Sequence, residues 1–446
     1  MLIGRSSELK YLQQLYEVQG SQLVIIYGQT GIGKTSLALE FSKNLPCFYY
    51  QARSCTDQKQ QNLWQTLDLW MDAKNTGFLT GKKVLVVDEF QHLVKSDPDF
   101  MQNCVTYLQQ PQEILWILLS SSIAWIENSM ITKIGTSAYS ISALYKLKEI
   151  SFQSIRSMFP HFNQIQCLEI YSILGGVPRL LQSIDDRLSV SENLIKNILN
   201  TQGTLYQIGT HLISEELRET SVYHTILESL SSGKQKLNEL FKETGFSRAK
   251  ISVYLKNLME LEFVEKIFSY DTDGKENTQK GIYRICNHFA HFWFGFVFPN
   301  LGELEIKSGL DYYNTYIKSY FTTYTSIYFK NVCVEYLMHE AEERRTPFVI
   351  ARNSTWVGKA GVIDLIMEGE NGYLAVGFCQ YARIITTYAD YEWDLFCLEQ
   401  AKIQPDGIYL FSVKGFDEQL TLEAAMNPTL QLLDFEMMYP DLEKGV

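Results

Sequence analysis

The stretch LVIIYGQTGIGKTSLALEF, residues 23–41, decides the fold of this chain. Apolar residues lead into a glycine-rich run, and the run leads into a helix-forming segment, so the order is strand, loop, helix. From Gly28 to Thr35 the loop spells G-x-x-x-x-G-K-T. That spacing has a chemical cause. Glycines let successive backbone N–H groups turn inward towards phosphates, and the helix that follows presents its positive end. Lys34 then reaches the β and γ oxygens, and the Thr35 hydroxyl ligates Mg2+. The expected nucleotide contacts are Gly28, Gln29, Thr30, Gly31, Ile32, Gly33, Lys34, Thr35 and Ser36.

A second stretch completes this chemistry. KKVLVVDEFQHL, residues 82–93, is an apolar strand ending in Asp88 and Glu89. The aspartate is expected to order the metal's shell and the glutamate to polarise an attacking water, so hydrolysis is expected and not binding alone. ILWILLSSSIAWIENSM, residues 114–130, is a further buried strand ending in serines. Ser121, with Ser120 next, is the candidate to touch the γ-phosphate or the lytic water. Serines also end strands for packing reasons alone.

Composition sets the frame. A chain of 446 residues suggests two to four domains. A net charge of −12 argues against nonspecific coating of nucleic acid or anionic lipid, so any nucleic-acid contact must come from a local patch. The 8 cysteines are scattered, with no CxxC pair and no Cys/His cluster at zinc spacing, and are expected to be free thiols in a reducing compartment. MLIGRSSELKYLQQLYE at the start is expected to open an amphipathic, charged helix and not to be a secretory leader, and the longest apolar run is too short to cross a bilayer. A soluble cytoplasmic protein is expected.

The segment SVYHTILESLSSGKQKLNELFKETGFSRAKISVYLKNLMELEFVEKI, residues 221–267, predicts three helices, the third capped by Ser247. Ile251, Tyr254, Leu255, Leu258 and Leu261 recur at helical spacing, and the polar SYDTDGKENTQKG separates two strand-like stretches. This is a helix-turn-helix with a wing. Arg248, Lys250 and Lys256 are the basic residues available to a DNA groove, but Glu260, Glu262, Glu265, Asp271 and Asp273 nearly balance them. DNA contact and a structural spacer both remain open. YRICNHFAHFWFGFVFPN, residues 283–300, reads as an aromatic packing seam, with His288 and His291 as packed histidines.

LIGRSSEL before the glycine loop, VVDEFQHL, the Ser-rich strand end and YSILGGVPRLL at 171–181 together resemble the archaeal-type ATPase family, a branch of the AAA+/STAND nucleoside triphosphatases. The resemblance implies ATP and Mg2+ as cofactors. It implies a helical lid opened at Pro178, with Arg179 either approaching the phosphates or solvated on its helix, and Arg5 near the base. Members of the family carry a Gly-Arg pair after the Ser-rich strand, whereas this chain reads SALYKLKEISF. Lys146 or Lys148 are the stand-ins, so hydrolysis is expected to be slow or partner-dependent.

The C-terminal third resembles the PD-(D/E)XK restriction-endonuclease-like domain that trails this family. Active members gather a helix glutamate, a strand aspartate and a Glu-x-Lys on the next strand. Here the matching positions are Glu335, Asp364, Phe378 and Gln380, where phenylalanine cannot ligate a metal and glutamine carries no charge. A degenerate nuclease site is expected, with Glu370 or Glu392 as candidates for a relocated acid.

The expected fold is multidomain α/β: a P-loop ATPase core at 1–147, a helical lid at 148–212, a winged helix-turn-helix at 213–303 and a restriction-endonuclease-like domain at 304–446. The expected function is a Mg2+-dependent ATP-binding and ATP-hydrolysing switch whose C-terminal domains bind a partner. An ATP-gated DNA-binding regulator and a nuclease with a relocated acid are the alternatives. A protein partner, DNA and self-association stay open, and no membrane partner is expected.

Overall fold

The computed structural model describes residues 2–53, 62–75, 81–214, 217, 219–272, 281–381 and 384–440. The chain forms two compact units, Met1–Ile150 with Val177–Gln182, and Ser151–Gly176 with Ser183–Val446.

The first unit is built on a five-stranded parallel sheet: β1 (Gln22–Tyr27), β2 (Cys47–Gln51), β3 (Lys83–Asp88), β4 (Ile114–Ser120) and β5 (Ala143–Lys146), in the order β2-β3-β4-β1-β5. Helices cover both faces, which is why β1, β3 and β4 are apolar at nearly every position. Leu23, Ile25, Leu85, Val87, Trp116 and Leu118 build one core layer. Val24, Ile26, Val84, Val86, Leu115 and Ile117 build the other, against the helix Lys34–Ser42. The carboxyl ends of β1, β3 and β4 therefore lie side by side, the place where parallel α/β sheets bind ligands.

In the second unit the helices Thr220–Ser231, Leu237–Thr244 and Arg248–Glu260 precede the antiparallel pair β6 (Val264–Ile267) and β7 (Ile282–Ile285). Ser247 caps the third helix by accepting from the Lys250 N–H at 3.2 Å, and Ile251, Leu255 and Leu258 face the core. Residues 273–280 of the wing, Asp273 among them, lie outside the described residues. The aromatic stretch after β7 is helical, and Phe289, Phe292, Trp293 and Phe294 are buried in it. His288 donates through Nδ1 to the Tyr171 carbonyl at 2.7 Å, and His291 Nδ1 is bonded to the Tyr328 hydroxyl at 2.7 Å.

The long helix Phe321–Glu342 then leads into an antiparallel meander, β8 (Ile350–Val357), β9 (Val362–Gly369) and β10 (Leu374–Gln380). The helix Tyr388–Ala401 returns the chain to β11 (Gly407–Ser412), parallel to β10, and the helix Glu418–Met426 leads to β12 (Leu430–Asp434), parallel to β11. The sheet order is β12-β11-β10-β9-β8. Among the described residues, no helix is long and apolar enough to cross a membrane.

Candidate nucleotide site

The glycine loop leaves β1 at Gly28 and enters the helix Lys34–Ser42 through Gly33, whose φ of 99° only glycine adopts without strain. A Cβ on Gly28 would lie 2.5 Å from the Leu147 carbonyl oxygen, so side-chain bulk is excluded there as well. Lys34 is buried and donates to the loop carbonyls of Gly28 at 2.8 Å and Gln29 at 3.1 Å. Gln29 is also tied to Glu149 at 3.1 Å, while Thr30 and Ser36 are exposed and Ile32 is core.

Thr35 donates its hydroxyl proton to Asp88 Oδ2 at 2.6 Å. The same oxygen accepts from the Tyr49 hydroxyl at 3.1 Å, and Asp88 Oδ1 accepts from the Glu89 N–H at 3.0 Å. Tyr49 was not visible as a site residue in the sequence. It lies on β2, paired with Val86 two positions short of Asp88, and only strand register brings it there.

Glu89 sits just past the end of β3 with φ of 52°, a left-handed conformation that costs a non-glycine residue roughly 1–2 kcal/mol. Its Oε2 accepts from the Ser121 hydroxyl at 2.7 Å, the Ser121 N–H at 3.1 Å and Gln91 Nε2 at 2.6 Å. Burial alone would raise its pKa. The hydrogen bonds from Gln91 and Ser121, with the nearby Lys34 charge, more than offset burial and hold the carboxyl below its ordinary value. Glu89 is therefore ionised at neutral pH. Ser120 is fully buried and its hydroxyl accepts from the Ser122 N–H at 3.1 Å, so it packs where Ser121 reaches into the site.

Pro178 opens the short helix Pro178–Leu181, and the Arg179 N–H donates to the Gly31 carbonyl at 3.2 Å. Arg179 lies over the loop so closely that a Cβ on Gly31, at φ of 81°, would be 2.9 Å from the Arg179 Cβ. Arg5, expected near the base, is a buried brace. Its guanidinium donates to the Ile32 carbonyl at 2.9 Å, the Lys148 carbonyl at 2.7 Å and Glu8 at 2.8 Å, joining the N-terminal helix, the loop and the segment after β5. Of the two stand-in lysines, Lys146 pairs with Glu127 at 2.8 Å and Lys148 is exposed.

The basic residues of the third winged-helix element are exposed, and each has local company. Arg248 donates to Asn238 at 2.8 Å and lies over the Phe241 ring, Lys250 lies over Phe246, and Lys256 is 3.7 Å from Glu260.

Of the positions expected to form a degenerate nuclease site, Asp364 and Phe378 are brought together, while Glu335 is bonded elsewhere. Pairing of Gly377 with Leu365 sets Asp364 beside Phe378 on neighbouring strands, and Asp364 Oδ2 accepts from the Cys379 N–H at 2.9 Å. Phe378 is buried in a cluster with Tyr391 and Leu398, and Gln380 is half-buried. Glu335 has been put to other use. Its two oxygens accept from the Phe152 N–H at 2.7 and 2.9 Å, so it caps the helix Phe152–Met158. Glu370 and Glu392 are exposed. A different acid, Asp394 on the helix Tyr388–Ala401, is buried with its Oδ2 unpartnered, and burial, with the charges of Asp364 and Asp390, pushes its pKa up to about 8. Among the described residues, no group of three or more His, Cys, Asp or Glu side chains could hold a metal ion.

Residues 293–390 match a family model described as archaeal and bacterial proteins of unknown function, and residues 225–266 match the model of the bacterial regulatory proteins of the arsR family. An uncharacterized protein of Methanocaldococcus jannaschii is 27% identical over 380 residues, covering 83% of this chain and 85% of that protein. An uncharacterized ATP-binding protein of the same archaeon is 22% identical over 268 residues, covering 58% of this chain and 67% of that protein. Among solved structures, the chain is similar to the ORC2 protein of Aeropyrum pernix in ADPNP and ADP complexes, with TM-score 0.45, 16% identity and coverage of 68% of this chain and 95% of that one. It is also similar to a signal transduction ATPase with numerous domains from Pyrococcus horikoshii, with TM-score 0.27, 13% identity and coverage of 77% and 50%.

Proposed function

We propose that this chain is a Mg2+-dependent ATP-binding and ATP-hydrolysing switch whose C-terminal elements engage a partner. The observation that carries the proposal is the convergence of Lys34, Thr35, Asp88, Glu89 and Ser121 at the carboxyl ends of β1, β3 and β4. The donor set fits Mg2+. The Thr35 hydroxyl donates its hydrogen bond to Asp88, which leaves its oxygen lone pairs free to ligate a hard cation, and the Asp88 carboxylate is fixed by three donors. Mg2+ bound with the nucleotide would neutralise charge on the phosphate oxygens.

The chain's own residues divide the remaining work. Lys34, now held by loop carbonyls, is placed to exchange them for β and γ oxygens, and the loop N–H groups after Gly28, whose own N–H is donated to the Ser120 carbonyl at 3.2 Å, would cradle the phosphates. Glu89, kept ionised, orients the attacking water and takes its proton at a carboxylate oxygen. Ser121 fixes Glu89, and Arg179 lies against the loop at Gly31. Lys146, at the end of β5, is engaged by Glu127, which supports slow or partner-dependent turnover. ATP as the nucleotide is supported by the relative named for ATP binding.

The proposed domains are the core at 1–147, the lid at 148–212, the winged helix at 213–303 and a restriction-endonuclease-like domain at 304–446. The last is supported by the order of helix, three-stranded meander, helix and parallel strand. With Phe378 in the core and Glu335 capping a helix, we assign that domain binding in place of cleavage. Calorimetric titration of ATP in Mg2+ tests the core of the proposal. Binding by the wild type and its loss in Lys34→Ala is the expected result, and equal binding by both proteins would refute it.

A second reading, an ATP-gated DNA-binding regulator, is favoured by the arsR-family match over the three helices and by the exposure of Arg248, Lys250 and Lys256. Charge reversal at Lys250 and Lys256 separates the two, since the regulator alone loses DNA affinity.

A further inference from the structure

The Walker-type aspartate of this site has a partner from outside the two nucleotide motifs. Tyr49 reaches from β2 to Asp88 Oδ2 at 3.1 Å, the oxygen that also takes the Thr35 proton at 2.6 Å. With the Glu89 N–H on Oδ1, the carboxylate is gripped by three donors, from β2, from the residue that follows β3 and from the loop helix. Among the described residues β2 is one of the sheet's two edge strands, and Tyr49 is partly exposed there. A tyrosine at such a place needs no buried partner for its hydroxyl, since water could serve it, yet the hydroxyl is spent on Asp88.

We propose that Tyr49 is a positioning residue of the Mg2+ site, holding the Asp88 carboxylate in the orientation that receives the Thr35 proton and so keeps the Thr35 oxygen available to the metal. This rests on the reading of the site as a Mg2+-nucleotide site. The physical basis is the general one for metal centres: partners of the residues around a metal fix their rotamers, and losing one weakens metal affinity roughly 10–100-fold. Without the Tyr49 hydroxyl, Asp88 keeps one side-chain donor on Oδ2 and gains freedom to rotate away from Thr35. The loss falls on the metal and not on the nucleotide's phosphate cradle, because Tyr49 bonds Asp88 whereas Lys34 is held by the loop carbonyls of Gly28 and Gln29.

The test is a titration of fluorescent ATP with the full chain, first in EDTA and then against rising Mg2+, for wild type, Tyr49→Phe and Thr35→Ala. Tyr49→Phe keeps the ring, so the edge strand keeps its packing. The expected result is nucleotide affinity in EDTA within twofold of wild type and a Mg2+ half-saturation raised on the order of tenfold. Thr35→Ala should show a larger rise of the same kind. An unchanged Mg2+ half-saturation in Tyr49→Phe would overturn the assignment while the wild type still responds to Mg2+. Equal weakening with and without Mg2+ would also overturn it, by showing a general packing role. A wild type whose nucleotide binding ignores Mg2+ would overturn the reading of the site itself, and the role of Tyr49 with it.

Discussion

Replacing Asp394 by asparagine should change how the stability of the second unit depends on pH. Asp394 is buried, its Oδ2 has no hydrogen-bond partner, and its pKa is pushed from 3.8 up to about 8 by burial and by the charges of Asp364 and Asp390. In the unfolded chain it titrates near the ordinary value. The folded state therefore binds one more proton than the unfolded state across about four pH units. A raised carboxyl of this kind contributes stability that is full below about pH 4 and is lost as pH rises through about 8. The slope is ~1.4 kcal/mol per pH unit, so moving from pH 5 to pH 7 should cost the wild type on the order of 2–3 kcal/mol through this group. Asparagine carries no titrating proton and its own packing effect is the same at both pH values, so the double difference isolates the term. Guanidinium unfolding at constant ionic strength, followed by tryptophan fluorescence with Trp393 next along the helix, measures it. Wild type and variant losing stability in parallel between pH 5 and 7, to within about 0.5 kcal/mol, would refute the buried-carboxyl account.

Three other outcomes are expected. Glu335→Gln leaves the N–H of Phe152 with a weaker acceptor and should lower the unfolding free energy by about 1–3 kcal/mol, read by chemical denaturation, with ATP turnover unchanged. Gly31→Ala puts a Cβ against Arg179 in a left-handed backbone and should weaken ATP binding about tenfold or more, seen in a fluorescent-nucleotide titration. Ser121→Ala removes one donor from Glu89 and should lower turnover while leaving ATP affinity within about twofold, because Ser121 grips the base and not the phosphate cradle.

The parts legible in the sequence are those written locally. The glycine loop, the strand ending in Asp88 and Glu89, and the Ser247 cap each depend on residues within a few positions, so spacing alone locates them. Alternation along β9 and β10 was likewise enough to set Asp364 beside Phe378. What the sequence hides is the work done by long-range partners. Glu335 has the residue type of a metal ligand, but it serves a helix whose N–H lies 183 residues earlier. Arg5 precedes the loop in the chain, and only the fold shows that its guanidinium donates to the carbonyls of Ile32 and Lys148. Tyr49 meets Asp88 only through the pairing of β2 with β3. Asp394 escaped notice because helix facing, and not chemistry, distinguishes it from the exposed Glu392 two residues before it.

The central claim is hydrolysis at the Glu89 site. Phosphate release from ATP in Mg2+, with and without duplex DNA, measured for the wild type against Glu89→Gln, tests it most directly. Turnover in the wild type that falls at least a hundredfold in Glu89→Gln, with nucleotide binding retained, is the predicted result. A rise with DNA would favour the regulator reading, and indifference to DNA the protein-partner switch. Wild-type turnover no greater than that of the variant would contradict the claim.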